Sequence, residues 1–156
     1  MSDSSPALVW EGPFLGIDHG LKFLGLALSL SGEFARPYQV ISRQSKAEDF
    51  QKIQAIIRKE GVKTLVLGMP PRPPDFVGVS QSVVVRNWAG HLAAAIPLPL
   101  YFWEEGLSSE DAEAGLRELG KKLDRVDAQA AALILQACLD AVKAGERPER
   151  FICPPA

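Results

Sequence analysis

Gly16-Ile17-Asp18-His19-Gly20-Leu21-Lys22-Phe23-Leu24-Gly25-Leu26-Ala27-Leu28-Ser29 is the stretch on which the fold of this chain turns. Residues 14–18 and 24–31 are two short apolar runs separated by a glycine-marked turn. The dipeptide Ser31-Gly32 turns the chain again into a third run, residues 35–41. Three short strands joined by tight turns predict an antiparallel meander. Asp18 stands at the end of the first strand, where an ionised carboxylate is costly unless it is paired or bound to a cation. Its ordinary alternative is an aspartate that begins the turn before Gly20.

Outward from the meander the period changes. Phe50, Ile53, Ile56 and Ile57 fall three or four apart among polar residues, predicting an amphipathic helix over 45–60 that Gly61 ends. Residues 64–67 form a continuous apolar run, as for a strand covered on both faces. Gly68 and the prolines of 70–74 then predict an irregular loop. A second helix is expected over 80–95, although Val83, Val84 and Val85 are β-branched and oppose it. A fifth strand follows at 98–103, and Ser108 or Ser109 caps a polar helix to about Leu119. The last helix is expected over 127–142, with Ala131, Ile134, Leu135, Cys138 and Val142 on one stripe. This order predicts an α/β domain with a five-stranded mixed sheet and helices on both faces. Residues 1–12 read as a flexible leader, 13–146 as the domain and 147–156 as a proline-containing surface tail.

Three acidic positions carry the chemistry. Glu104 and Glu105 follow the fifth strand directly, and Asp127 opens the last helix. Taken singly, the glutamates suit a solvated strand end and Asp127 suits a helix N-cap. Together with Asp18 they can reach one rim of the sheet. Carboxylates gathered there repel one another unless cations are present, and such oxygen-rich sites suit Mg²⁺ or Mn²⁺. A cluster of this kind underlies two-metal phosphodiester hydrolysis.

At these residues the chain resembles the YqgF/RuvX family, described as Holliday junction resolvases and as nucleases that mature small-subunit (pre-16S) ribosomal RNA. Residues 16–29 are similar to its opening motif, and Gly68-Met69-Pro70 with Gly78 to its Gly-Leu-Pro loop. Val85-Arg86-Asn87-Trp88-Ala89 is similar to the helix that follows, and Trp103-Glu104-Glu105-Gly106-Leu107-Ser108-Ser109 to a Trp-Asp-Glu-Arg-Leu-Thr-Thr block. Residues 127–140 resemble the fourth block most closely. The resemblance implies a ribonuclease H-like fold, with Asp18, Glu105 and Asp127 at the catalytic metal positions and Glu104 beside them. The chain departs from the pattern at Phe23 and Gly106, where arginines are expected, at Leu30, and at Arg72-Pro73-Pro74-Asp75 in the loop.

Lys22, Arg72, Arg86 and Ser108 are the candidates for substrate contact, Lys22 as a point charge beside Asp18. His19 has no ligand spacing, and Trp88 and Trp103 read as core. Asp18-x-Gly20 followed by Gly25 also resembles the phosphate loop of actin-like ATPases and sugar kinases. Those need two such domains, and 156 residues hold one.

Composition narrows the partners. Hydrophobic residues make up 47% and charged residues 23%, the balance of a soluble globular domain. A net charge of −2 argues against coating nucleic acid non-specifically. Two cysteines without ligand spacing, and no membrane-length apolar run, predict a cytoplasmic protein. The expected partner is structured RNA or branched DNA, with ribosomal precursor particles as a further candidate, bound by a monomer or homodimer. The alternative is a non-catalytic nucleic-acid or ribosome-binding factor on the same fold.

Overall fold

In the computed structural model, residues 9–69, 81–104 and 123–151 are described, with side chains from 83 and from 128 in the last two segments. The elements run β1 (Phe14–His19), β2 (Phe23–Ser29), β3 (Arg36–Ser42), α1 (Lys46–Glu60), β4 (Thr64–Met69), α2 (Gln81–Ala95), β5 (Leu100–Glu104), α3 (Leu123–Lys143) and β6 (Glu149–Arg150). The sheet order is β3-β2-β1-β4-β5-β6. β1, β4 and β5 are parallel neighbours, while β2, β3 and β6 are antiparallel to theirs. This is the expected mixed sheet with one correction: it has six strands, not five. The sixth comes from the segment read as a surface tail. The expected polar helix at 108–119 lies outside the described residues.

Local chemistry accounts for the helix ends. Ser45 caps α1 by accepting from the Glu48 amide at 3.1 Å, and Gly61 closes it at φ 71° with its N–H on the Ile57 carbonyl. The glycine stop matches the sequence reading, whereas Ser45, read as the first residue of the helix, is its cap. In α2 the valine run proves compatible with a helix because only Val85 is buried; Val83 and Val84 remain at the surface. Val85, Trp88, Ala89 and Leu92 supply the buried stripe. α3 starts at Leu123, a turn earlier than expected, so Asp127 is inside the helix rather than at its cap.

Strand alternation builds two cores. Leu15 and Ile17 of β1, with Leu24, Leu26, Leu65, Leu67 and Phe102, pack against α1 and α2. Phe14, Ala27 and Val66 pack against Ala131, Ile134, Leu135, Cys138 and Leu139 of α3. Gly16 and Gly68 let α3 lie close to the sheet. A Cβ at Gly16 would stand 2.8 Å from Leu135 Cβ and 3.1 Å from the Ala131 carbonyl oxygen, and one at Gly68 2.5 Å from Ile134 Cδ1.

The described part of the expected leader is tied to the sheet. The buried Tyr101 hydroxyl accepts from the Val9 amide at 2.8 Å and donates to the Val9 carbonyl at 3.0 Å. Tyr101→Phe is expected to lower stability by about 1 kcal/mol, since water can replace the lost bonds at the exposed Val9. A urea midpoint unchanged from wild type would refute this.

Candidate active site

Asp18 stands at the C-terminal end of the central strand, half-buried and on the face that α3 covers. A row across that rim follows from the register. Asp18 is aligned with Gly25 on β2. Ile17 is aligned with Leu67, so Gly68 comes next to Asp18 on β4, and Gly68 is aligned with Trp103 on β5. Two glycines therefore flank the carboxylate, and nothing larger than hydrogen crowds it within the sheet.

The direction of α3 brings a second acidic position to this rim. Gln136 accepts from the Ala35 amide and donates to the Glu33 carbonyl, each at 2.8 Å, in the β2–β3 connection beside the start of β1. The N-terminal part of α3 therefore lies toward the end of β1. Ala131 covers Gly16. Asp18 is two strand residues further along, about 6.6 Å, and Asp127 one helical turn further back, about 5.4 Å. The turn of α3 that carries Asp127 is thus brought toward Asp18.

β5 ends at the same rim. Trp103 packs on the α3 side and Phe102 in the opposite core, so alternation puts the exposed Glu104 on the face away from Asp18. Glu105 lies outside the described residues, as do Arg72 and Ser108. Among the described residues no three His, Cys, Asp or Glu side chains gather as a metal site. The Glu105 and Asp127 carboxylates fall outside that set.

The β1–β2 turn follows Asp18 directly. Its Gly20 amide donates to the Phe23 carbonyl at 2.9 Å, and a Cβ on Gly20 would meet that oxygen at 2.6 Å. Lys22 is exposed on this turn. On the opposite face, the His19 ring meets Trp88 edge-on, with centroids 4.9 Å apart. Among the described residues, neither imidazole nitrogen, nor Trp88 Nε1, has a hydrogen-bond partner. Burial first, and the nearby Arg43 cation second, push His19 down to about 4, so the ring is neutral at pH 7.

A family model described as RuvX, Holliday junction resolvase, matches residues 12–141. The chain belongs to this family. Curated relatives from Rhizobium rhizogenes and Acidiphilium cryptum carry the name pre-16S rRNA nuclease. The first is 36% identical, covering 85% of this chain and 84% of the relative; the second is 34% identical over 96% of each. Among solved structures, Thermus thermophilus RuvC superposes with a TM-score of 0.55 at 14% identity, over 88% of this chain and 99% of that one. The same protein in complex with a Holliday junction gives 0.50 at 15%, over 86% and 98%. These likenesses establish the ribonuclease H-like fold.

Within this family member Arg86 has a partner that sequence reading did not foresee. Its Nη1 and Nη2 donate to Glu149 Oε2 and Oε1 at 2.8 and 2.9 Å, and its guanidinium lies 4.8 Å from the Phe102 ring centroid. Arg86 thereby clamps β6 onto α2 and β5. The hydrogen bonds from Arg86 hold the Glu149 carboxyl below its usual range. A depressed acid stabilises the fold above its unfolded pKa and ceases to as pH falls through its folded value. Arg86→Gln is expected to cost about 0.5–1 kcal/mol at pH 7, as for an exposed bidentate pair. The gap from wild type in urea melts should close in acid; a gap independent of pH would count against the clamp.

Sequence reading missed Arg43. Its backbone amide donates to the Lys22 carbonyl at 2.8 Å, and its Nη1 donates to the Gly20 and Leu21 carbonyls at 2.7 and 3.2 Å. No spacing rule links position 43 to positions 20–22; the contact exists only because β3 lies beside β2. No described helix is long and apolar enough to cross a membrane.

Proposed function

We propose that this chain is a divalent-metal-dependent endonuclease that hydrolyses phosphodiester bonds in structured nucleic acid, with the precursor of small-subunit ribosomal RNA as its substrate and Asp18, Glu105 and Asp127 as its metal-holding carboxylates. The observation that carries this reading is the placement of Asp18. It ends a central strand between two glycines, with the α3 turn bearing Asp127 directed toward it. The resemblance of residues 103–109 to the family's Trp-Asp-Glu block favours Glu105 as the third ligand. Family membership supports nuclease chemistry, and the names of the curated relatives support ribosomal RNA.

An all-oxygen donor set of three carboxylates suits Mg²⁺ or Mn²⁺. The metal would supply the charge that activates water and stabilises the leaving oxygen. The protein's own contribution is placement. Asp18 is fixed by the sheet, the Asp127 turn by close packing of α3, and Lys22 offers a cation to the phosphate backbone on the turn between. The net charge of −2 suits a substrate presented by a ribosomal precursor particle in the cytoplasm better than unaided capture of naked duplex.

The test is cleavage of labelled precursor RNA and of a four-way DNA junction side by side, each with Mg²⁺, with Mn²⁺ and with chelator. Metal-dependent cutting of the RNA supports the proposal. Cutting of the junction alone makes the chain a resolvase. The absence of arginine at Phe23 and Gly106 favours one second reading, a non-catalytic RNA-binding factor; binding of both substrates without cutting would establish it.

A further inference from the structure

Three consecutive carbonyls of the β1–β2 turn, those of Gly20, Leu21 and Lys22, all accept hydrogen bonds from one residue, Arg43. A planar trans peptide points its N–H opposite to its C=O. With the Gly20 and Leu21 carbonyls turned onto Arg43, the amides of Leu21 and Lys22 face away from it. Neither amide donates to another described residue. Both residues are exposed, Leu21 at 83%. The Lys22 ammonium rises from the same turn, three residues past His19 and four past Asp18.

Outward backbone amides beside a lysine are the donor set that accepts a phosphate oxygen. We propose that Arg43 is a positioning residue. By holding the three carbonyls from behind, it presents the Leu21 and Lys22 amides and the Lys22 side chain as the seat for one backbone phosphate next to Asp18. The inference rests on the nucleic-acid reading above and adds to it a residue from a different strand, together with the part of the substrate that residue serves. Nη1 alone carries two N–H groups, so one nitrogen of the guanidinium serves both adjacent carbonyls.

The experiment measures the affinity of the full-length protein for a labelled hairpin RNA and a labelled four-way junction, with chelator present so that nothing is cut. The proteins are wild type, Arg43→Gln, Arg43→Lys, Lys22→Gln and the Arg43→Gln/Lys22→Gln double variant. Amide hydrogen exchange at Gly20 is read on the same samples, and a thermal melt confirms each fold. Losing charge-assisted bonds should weaken binding by about tenfold in Arg43→Gln, with partial recovery in Arg43→Lys and faster exchange at Gly20. Because Arg43 acts through the turn that carries Lys22, the double variant should bind no worse than Arg43→Gln alone. A double variant whose loss is the product of the two single losses would overturn the positioning role. So would Arg43→Gln binding like wild type, or unaltered exchange at Gly20. If wild type binds neither nucleic acid, the functional reading fails and this inference falls with it. If wild type binds and Arg43→Gln matches it, only this inference fails.

Discussion

Asp18→Asn is expected to reduce metal-dependent cleavage by at least ~100-fold while leaving the fold intact, since even groups that only orient metal ligands are worth 10–100-fold. Asparagine has the shape of aspartate, and the neighbours across the sheet are Gly25 and Gly68, so no packing is disturbed. The carboxylate charge is lost. A second readout separates a metal ligand from a turn-forming aspartate. Metal bound to the folded state alone raises stability by mass action, so wild type should melt higher in Mn²⁺ than in chelator. Asp18→Asn should show little of this shift. Near-wild-type cleavage by Asp18→Asn would remove Asp18 from the site, and with it the proposed mechanism.

Gly16→Val should be the most damaging single substitution in the scaffold. Its first added carbon lands 2.8 Å from Leu135 Cβ and 3.1 Å from the Ala131 backbone oxygen, neither of which can swing aside. Overpacking by a methylene or two costs about 1–3 kcal/mol, and three carbons against helix backbone belong at or beyond the top of that range. Gly68→Ala is the control. There the obstacle is Ile134 Cδ1, the free end of a flexible side chain, and a cost of about 1 kcal/mol or less is expected. Urea unfolding of the two variants should rank them in that order. The folded fraction of Gly16→Val should also cleave poorly, because α3 must move off the sheet and carry the Asp127 turn from Asp18. Equal stability in the two variants would mean that α3 is not seated as described.

Periodicity made most elements legible, because burial leaves a repeat of two in strands and about 3.6 in helices. α1 shows this best, with its apolar stripe and its glycine stop each readable from neighbouring residues. β6 was not legible. Two residues, Glu149 and Arg150, are too few to carry a repeat, and they enter the sheet through partners far along the chain, Arg86 and Phe102. The early start of α3 was hidden for a different reason: residues 123–126 extend the helix beyond the apolar stripe from which it was read.

The candidate site divides in the same way. The amino-acid sequence by itself determined the residue types, namely a carboxylate at the end of an apolar strand, a glutamate pair after another and an aspartate near the start of the last helix. Those types follow from local chemistry. The tertiary structure alone decided which of them share a face: Asp18 on the α3 side and His19 against Trp88 on the other, with Glu104 at the same rim but on the face away from Asp18. It alone revealed Arg43 behind the Gly20–Lys22 turn, since a contact across more than twenty residues depends on strand pairing, and strand pairing is set by which faces bury together rather than by any local pattern.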